Sequence, residues 1–112
     1  MLKITTSETA PRVAFQLDGR VMLSKPGTEI ILLSLQPGEA VPKHLNDFDV
    51  AIFILEGQGR LESGNASAEV SPGMLAEISA GEERGISNTG DGMLKVLVLK
   101  FVERRGGGLV ER

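Results

Sequence analysis

Short apolar runs rich in β-branched residues are broken along the whole chain by pairs of turn-forming residues, and this punctuation constrains the fold more than any other feature. Asp18-Gly19, Pro26-Gly27, Pro37-Gly38, Gly64-Asn65 and Pro72-Gly73 each let the backbone reverse sharply, and Glu56-Gly57-Gln58-Gly59 reads as a hairpin. Between them the sequence predicts strands over residues 11–17, 20–24, 28–36, 49–55, 59–63, 67–70, 74–79, 84–88 and 93–102. No stretch keeps a long 3.6-residue apolar period, so helix is not expected. Short strands at this spacing predict an all-β sandwich or barrel.

Two of these segments are apolar on both faces. In 28–36, Ile30 and Leu32 alternate with Ile31, Leu33 and Leu35. In 93–102, Leu97, Leu99 and Phe101 alternate with Val96, Val98 and Val102, and Lys100 alone interrupts the run. A half-buried strand carries one polar face. Apolar character on both faces requires a second cover, and a homodimer is the expectation, packed sheet to sheet or through an exchanged edge strand. The competing expectation is a terminal segment folded back over that face.

Composition narrows the function classes. A chain of 112 residues suits one domain. Its formal net charge of −3 and the lack of a dominant basic patch argue against nucleic acid. No apolar run is long enough for a transmembrane helix, and the first residues lack the apolar core of a secretory leader, so a cytoplasmic protein with no membrane partner is expected. The chain has no cysteine, which removes disulfides, thiolate metal sites and cysteine nucleophiles together. With neither Trp nor Tyr present, only Phe remains for stacking a sugar or a base. Residues 1–103 read as the single domain, and 104–112 as a Gly-rich, charged tail expected to be mobile. Gly106-Gly107-Gly108 has no Lys-Ser/Thr behind it and does not read as a phosphate loop.

Two motifs carry a resemblance. Gly38, five residues, His44, one residue, Asn46, three residues, Val50, six residues and Gly57 fall on the spacing of the first cupin motif, in which Gly is followed by His, His, Glu and Gly. Gly73, Ser79, Gly81, Arg84 and Asn88 take the slots of the second, in which Gly is followed by Pro, Gly, His and Asn. The chain therefore resembles a small single-domain cupin. That resemblance implies a double-stranded β-helix, or jelly-roll barrel, with a pocket inside it. It also implies a metal held by two His and a Glu from the first motif and a His from the second. Here those slots hold His44, Asn46, Val50 and Arg84, and His44 is the chain's only histidine. Asn is a poor ligand for a transition metal, Val offers no donor, and Arg is a fixed cation without a lone pair. Asp49 neighbours the lost Glu slot, and strand alternation points it to the opposite face. The expectation is a degenerate site with no metal and no other cofactor.

What remains is a set of candidate ligand-binding residues, His44, Asn46, Val50, Ile52 and Arg84, around a pocket for a small, anionic molecule. Arg84 can grip a carboxylate or phosphate through parallel hydrogen bonds, and the aliphatic residues suit an amphipathic body. Three other readings stand beside it: a metal-dependent enzyme with a rebuilt site, a metal-independent sugar epimerase or isomerase using His44 as base, and a structural or regulatory protein whose barrel is filled. The motifs name neither a substrate nor a catalytic residue.

Overall fold

The computed structural model describes residues 1–13 and 17–102, and among these all regular structure is β-strand. The strands are β1 (Asp18–Lys25), β2 (Thr28–Leu35), β3 (Ala40–His44), β4 (Asp49–Glu56), β5 (Gly59–Ser63), β6 (Ala66–Val70), β7 (Leu75–Ile78), β8 (Arg84–Asn88) and β9 (Leu94–Phe101). They form two antiparallel sheets, one of five strands in the order β1-β2-β9-β4-β7 and one of four in the order β3-β8-β5-β6. The double-faced strands β2, β9 and β4 occupy the middle of the larger sheet.

Period-2 alternation sends one side of each strand inward. From the larger sheet Ile31, Leu33, Leu35, Val50, Ile52, Ile54, Leu94, Val96 and Val98 face the core, where they meet Leu61, Val70 and Ile86 of the smaller sheet. The opposite side of the larger sheet carries Leu75 and Phe101 exposed, with Leu32, Phe53, Leu97 and Leu99 half-buried.

Three sequence expectations differ from the structure. Asp18-Gly19 opens β1 instead of forming a turn. Gly19 is required there by close approach: a Cβ at that position would lie 2.6 Å from the Val13 Cγ2 atom. The strand expected over 11–17 lies partly outside the described residues. Within them Arg12 forms a single bridge to Arg20, and the Val13 N–H donates to the Gly19 carbonyl. Finally, β3 has no strand signature, because Pro42 interrupts it and most of its residues are exposed. As the outermost strand of its sheet it tolerates a proline, and its pairing with β8 shifts register between Val41 and His44. The tail expected over 104–112 lies outside the described residues. No helix among the described residues is long and apolar enough to cross a membrane.

Candidate functional site

The two motifs meet where β3 pairs with β8. His44 ends β3 and stands opposite Arg84, which opens β8. The irregular β3 backbone passes so close to β8 that a Cβ on Gly85 would lie 2.9 Å from both the Lys43 nitrogen and the Val41 carbonyl oxygen. A residue without a side chain at 85 is what lets Lys43 and His44 reach this position.

Asn46 follows β3, and its backbone carbonyl accepts a hydrogen bond from the Gly81 N–H, tying the first motif to the second. With the Asn46 side-chain amide turned so that its oxygen meets donors, that oxygen accepts from both terminal nitrogens of Arg84, each at 2.8 Å, and from His44 Nε2 at 3.3 Å. His44 Nδ1 faces the Pro42 carbonyl at 3.0 Å. The two ring bonds coexist only when both nitrogens carry hydrogen. The structure thus brings together His44, Asn46 and Arg84.

Arg84 is 6% exposed, and burial pulls its guanidinium pKa below the ordinary value. Arginine stays charged even so. Its carbon sits 5.8 Å from the centre of the Phe48 ring, and Lys100 Nζ lies 6.0 Å from the same ring. Phe48 therefore has two cations within cation–π range. The other acids of this region are engaged elsewhere: Glu83 lies 3.9 Å from Lys43 Nζ, Glu29 lies 3.5 Å from Lys100 Nζ, and Asp49 accepts the Ala80 N–H at 2.8 Å. Among the described residues Arg84 forms no ion pair.

Between the sheets lies a cavity of about 480 Å³. Val13, Ile31, Leu33, Val41, Ile52, Ile86 and Val98 form its apolar walls, and Arg84, Lys100, Lys43 and His44 supply its polar groups. Of the expected ligand-binding residues, His44, Ile52 and Arg84 line this cavity. Asn46 stands behind Arg84 and orients it. Val50 is buried at 2% exposure and borders a separate depression beside Asp49, Ala51 and Leu75.

Sequence reading missed Lys43, Phe48 and Lys100 as members of the site. Lys100 had a visible mark, being the one charge inside the apolar run of β9. Phe48 had none, because its role depends on Arg84 and Lys100 converging on it from two other strands.

These residues do not fit a transition metal. Of the four slots that carry ligands in the resembled motifs, only His44 offers a nitrogen lone pair. The Asn46 oxygen already accepts two guanidinium nitrogens, Val50 is apolar, and Arg84 places a fixed positive charge where a dication would sit. Among the described residues no group of three or more His, Asp or Glu is placed to hold a metal ion.

A protein-family model described as the cupin domain matches residues 31–100, more than half the chain. No curated protein matches the chain. Among solved structures it is similar to the cupin domain of Cnp3 from Schizosaccharomyces pombe, with TM-score 0.75 and 13% identity. That match covers 80% of this chain and 66% of the other, so this chain spans about two thirds of that domain's length. It is similar to a predicted oxalate decarboxylase from Thermotoga maritima, with TM-score 0.80 and 22% identity over 91% of this chain and 100% of that one. It is also similar to the polyketide cyclase RemF from Streptomyces resistomycificus, with TM-score 0.79 and 21% identity over 99% and 89%. At these identities the likeness extends to the fold alone.

Proposed function

The chain belongs to the cupin family, and from that premise we propose that its barrel binds a small molecule with an anionic head and an apolar body. The head, a carboxylate or phosphate, meets Arg84, whose two terminal nitrogens suit parallel hydrogen bonds. Lys100 and Lys43 add positive potential at the same end of the cavity, and the aliphatic walls take the body. The volume of about 480 Å³ lies within the range of small-molecule sites.

The observation that carries this reading is Arg84 itself. A guanidinium that is 6% exposed, with no ion-pair partner among the described residues, lines an apolar cavity. Buried charges in folded proteins are ordinarily paired. A ligand anion completes the set that Asn46 begins.

The His44 base reading has less support. The histidine's Nδ1 is held by a neutral backbone carbonyl, and among the described residues no carboxylate hydrogen-bonds its ring to stabilise a developing imidazolium.

Calorimetric titration with octanoate, phenylacetate and phenyl phosphate, each against its neutral amide or alcohol counterpart, tests the proposal. At least one anion is expected to bind wild-type protein in preference to its neutral counterpart. Arg84→Met is expected to weaken that binding by about tenfold or more, corresponding to roughly 1.4 kcal/mol. Equal affinity for the variant, or no binding by any of the three anions, overturns the reading.

A further inference from the structure

The larger sheet has a second apolar side that the ligand reading leaves unused. On its outer face Leu32, Leu97, Phe53 and Leu75 stand in one cross-strand row, and Ile30, Leu99 and Ala51 in the next. These rows run across four strands without a charged residue. Leu75 at the β7 edge is 57% exposed.

A second apolar element of the same chain is equally without cover. Residues 1–5 form no strand, and Leu2 and Ile4 are 83% and 76% exposed. A turn closed by reciprocal Thr6–Thr9 hydrogen bonds separates this arm from the segment held against β1. That segment is fixed by the Val21 N–H donating to the Pro11 carbonyl and by the Arg12–Arg20 bridge. The arm therefore leaves the molecule at the β1 edge of the same sheet.

We propose that a second copy of this chain packs on this outer face about a two-fold axis running along β9, with the arm of each copy lying over the partner's β7 edge. Three features select a second copy. The first is symmetry: β9 is the middle strand of five, so an axis along it stacks Leu97 and Leu99 of one copy on the same residues of the other. The second is charge. At the β1 edge Arg12 and Arg20 share the single carboxylate of Asp18, at 3.7 and 3.1 Å, leaving positive excess. At the β7 edge Glu77 is exposed and has no ion pair among the described residues. The proposed axis lays each β1 edge over the partner's β7 edge, opposing these charges, whereas an axis across the strands sets each edge against its own copy. Lys95, near the end of β9, stands in register with Glu56 and extends past the apolar rows.

The third feature is area. Strands about 4.8 Å apart and about 3.4 Å per residue give five strands of up to eight residues a face of about 24 by 26 Å. Two such faces bury roughly 1,200 Å², the lower limit for a stable specific interface, and the arms add to it.

Sedimentation velocity of the full chain is the test. Wild-type protein is expected to sediment as a dimer of twice the 11.9 kDa chain at micromolar concentration. Leu97→Glu, on the axis, is expected to weaken dimerisation at least 100-fold, and deletion of residues 2–5 at least tenfold. Arg12→Glu or Glu77→Arg alone is expected to weaken it severalfold, and the double variant to restore it. A monomeric wild-type protein, or a dimer indifferent to a folded Leu97→Glu variant, overturns the proposal. If Leu97→Glu does not fold, the charge reversals decide: single variants without effect, or a double variant without rescue, overturn it. Loss of ligand binding through Arg84→Met leaves this assembly unchanged, so the two readings fail separately.

Discussion

Gly57→Ala is expected to destabilise the protein by about 4 kcal/mol, near the upper end of what a single methyl group does. Gly57 ends the turn after β4 with φ of 92°. An L-residue there meets its own carbonyl sterics, which cost roughly 1–2 kcal/mol. The added Cβ would also fall on the Met93 carbonyl oxygen and lie 2.8 Å from the Leu94 Cα atom. Both are backbone atoms at the entrance to β9, so no rotamer change relieves the clash. Leu94 is fully buried, and moving it disturbs the packing of the core. Gly73 provides the control. Its φ is also 92°, but a Cβ there meets nothing within 4 Å, and Gly73→Ala is expected to cost only about 1–2 kcal/mol. Urea denaturation followed by circular dichroism measures both. Equal losses at the two positions would remove the steric part of the argument.

Asn88→Asp is expected to have a comparable effect, about 3–5 kcal/mol at neutral pH, despite nearly identical shape. Asn88 is 5% exposed, and its side-chain nitrogen donates to the carbonyls of Leu35, at 2.9 Å, and Gly92, at 2.8 Å. Its oxygen accepts the Gly90 N–H at 2.9 Å, and its own N–H donates to the Glu39 carbonyl at 3.0 Å. One side chain thus joins the ends of β2 and β8 and the turn before β9. A carboxylate retains the acceptor and loses both donors, so a buried charge faces two carbonyl oxygens. A loss under 1 kcal/mol in the same denaturation experiment would show that water satisfies those carbonyls instead.

The parts of the fold that were legible in the sequence are those decided locally. Pro26-Gly27, Pro37-Gly38 and Pro72-Gly73 marked where strands end, and alternation in β2 and β9 marked which residues go inward. Features decided by distant segments were hidden. Gly19 looks like a turn residue until Val13 is seen beside it, and β3 carries Pro42 and little apolar surface because only β8 pairs with it. The site divides in the same way. Motif spacing pointed to His44, Asn46 and Arg84, which the β3–β8 pairing brings together. Val50 shares the inward face of β4 with Ile52, yet it borders a different depression, and alternation alone does not distinguish two residues one strand repeat apart. Lys100 stood out in β9 as an anomaly, but its nearness to Phe48 needs three-dimensional register.

The attachment of β3 has a kinetic consequence. This strand is joined to the rest of the barrel through three register pairs with β8, interrupted by a bulge, and four of its five residues are exposed. Little free energy opposes its detachment, so its amides are expected to exchange with solvent well before those of β9, which is paired on both sides. Lys43 and His44 travel with it. The wall of the cavity that carries half of its polar groups is therefore the one that fluctuates most readily, giving a guest a route in and out while the larger sheet stays closed.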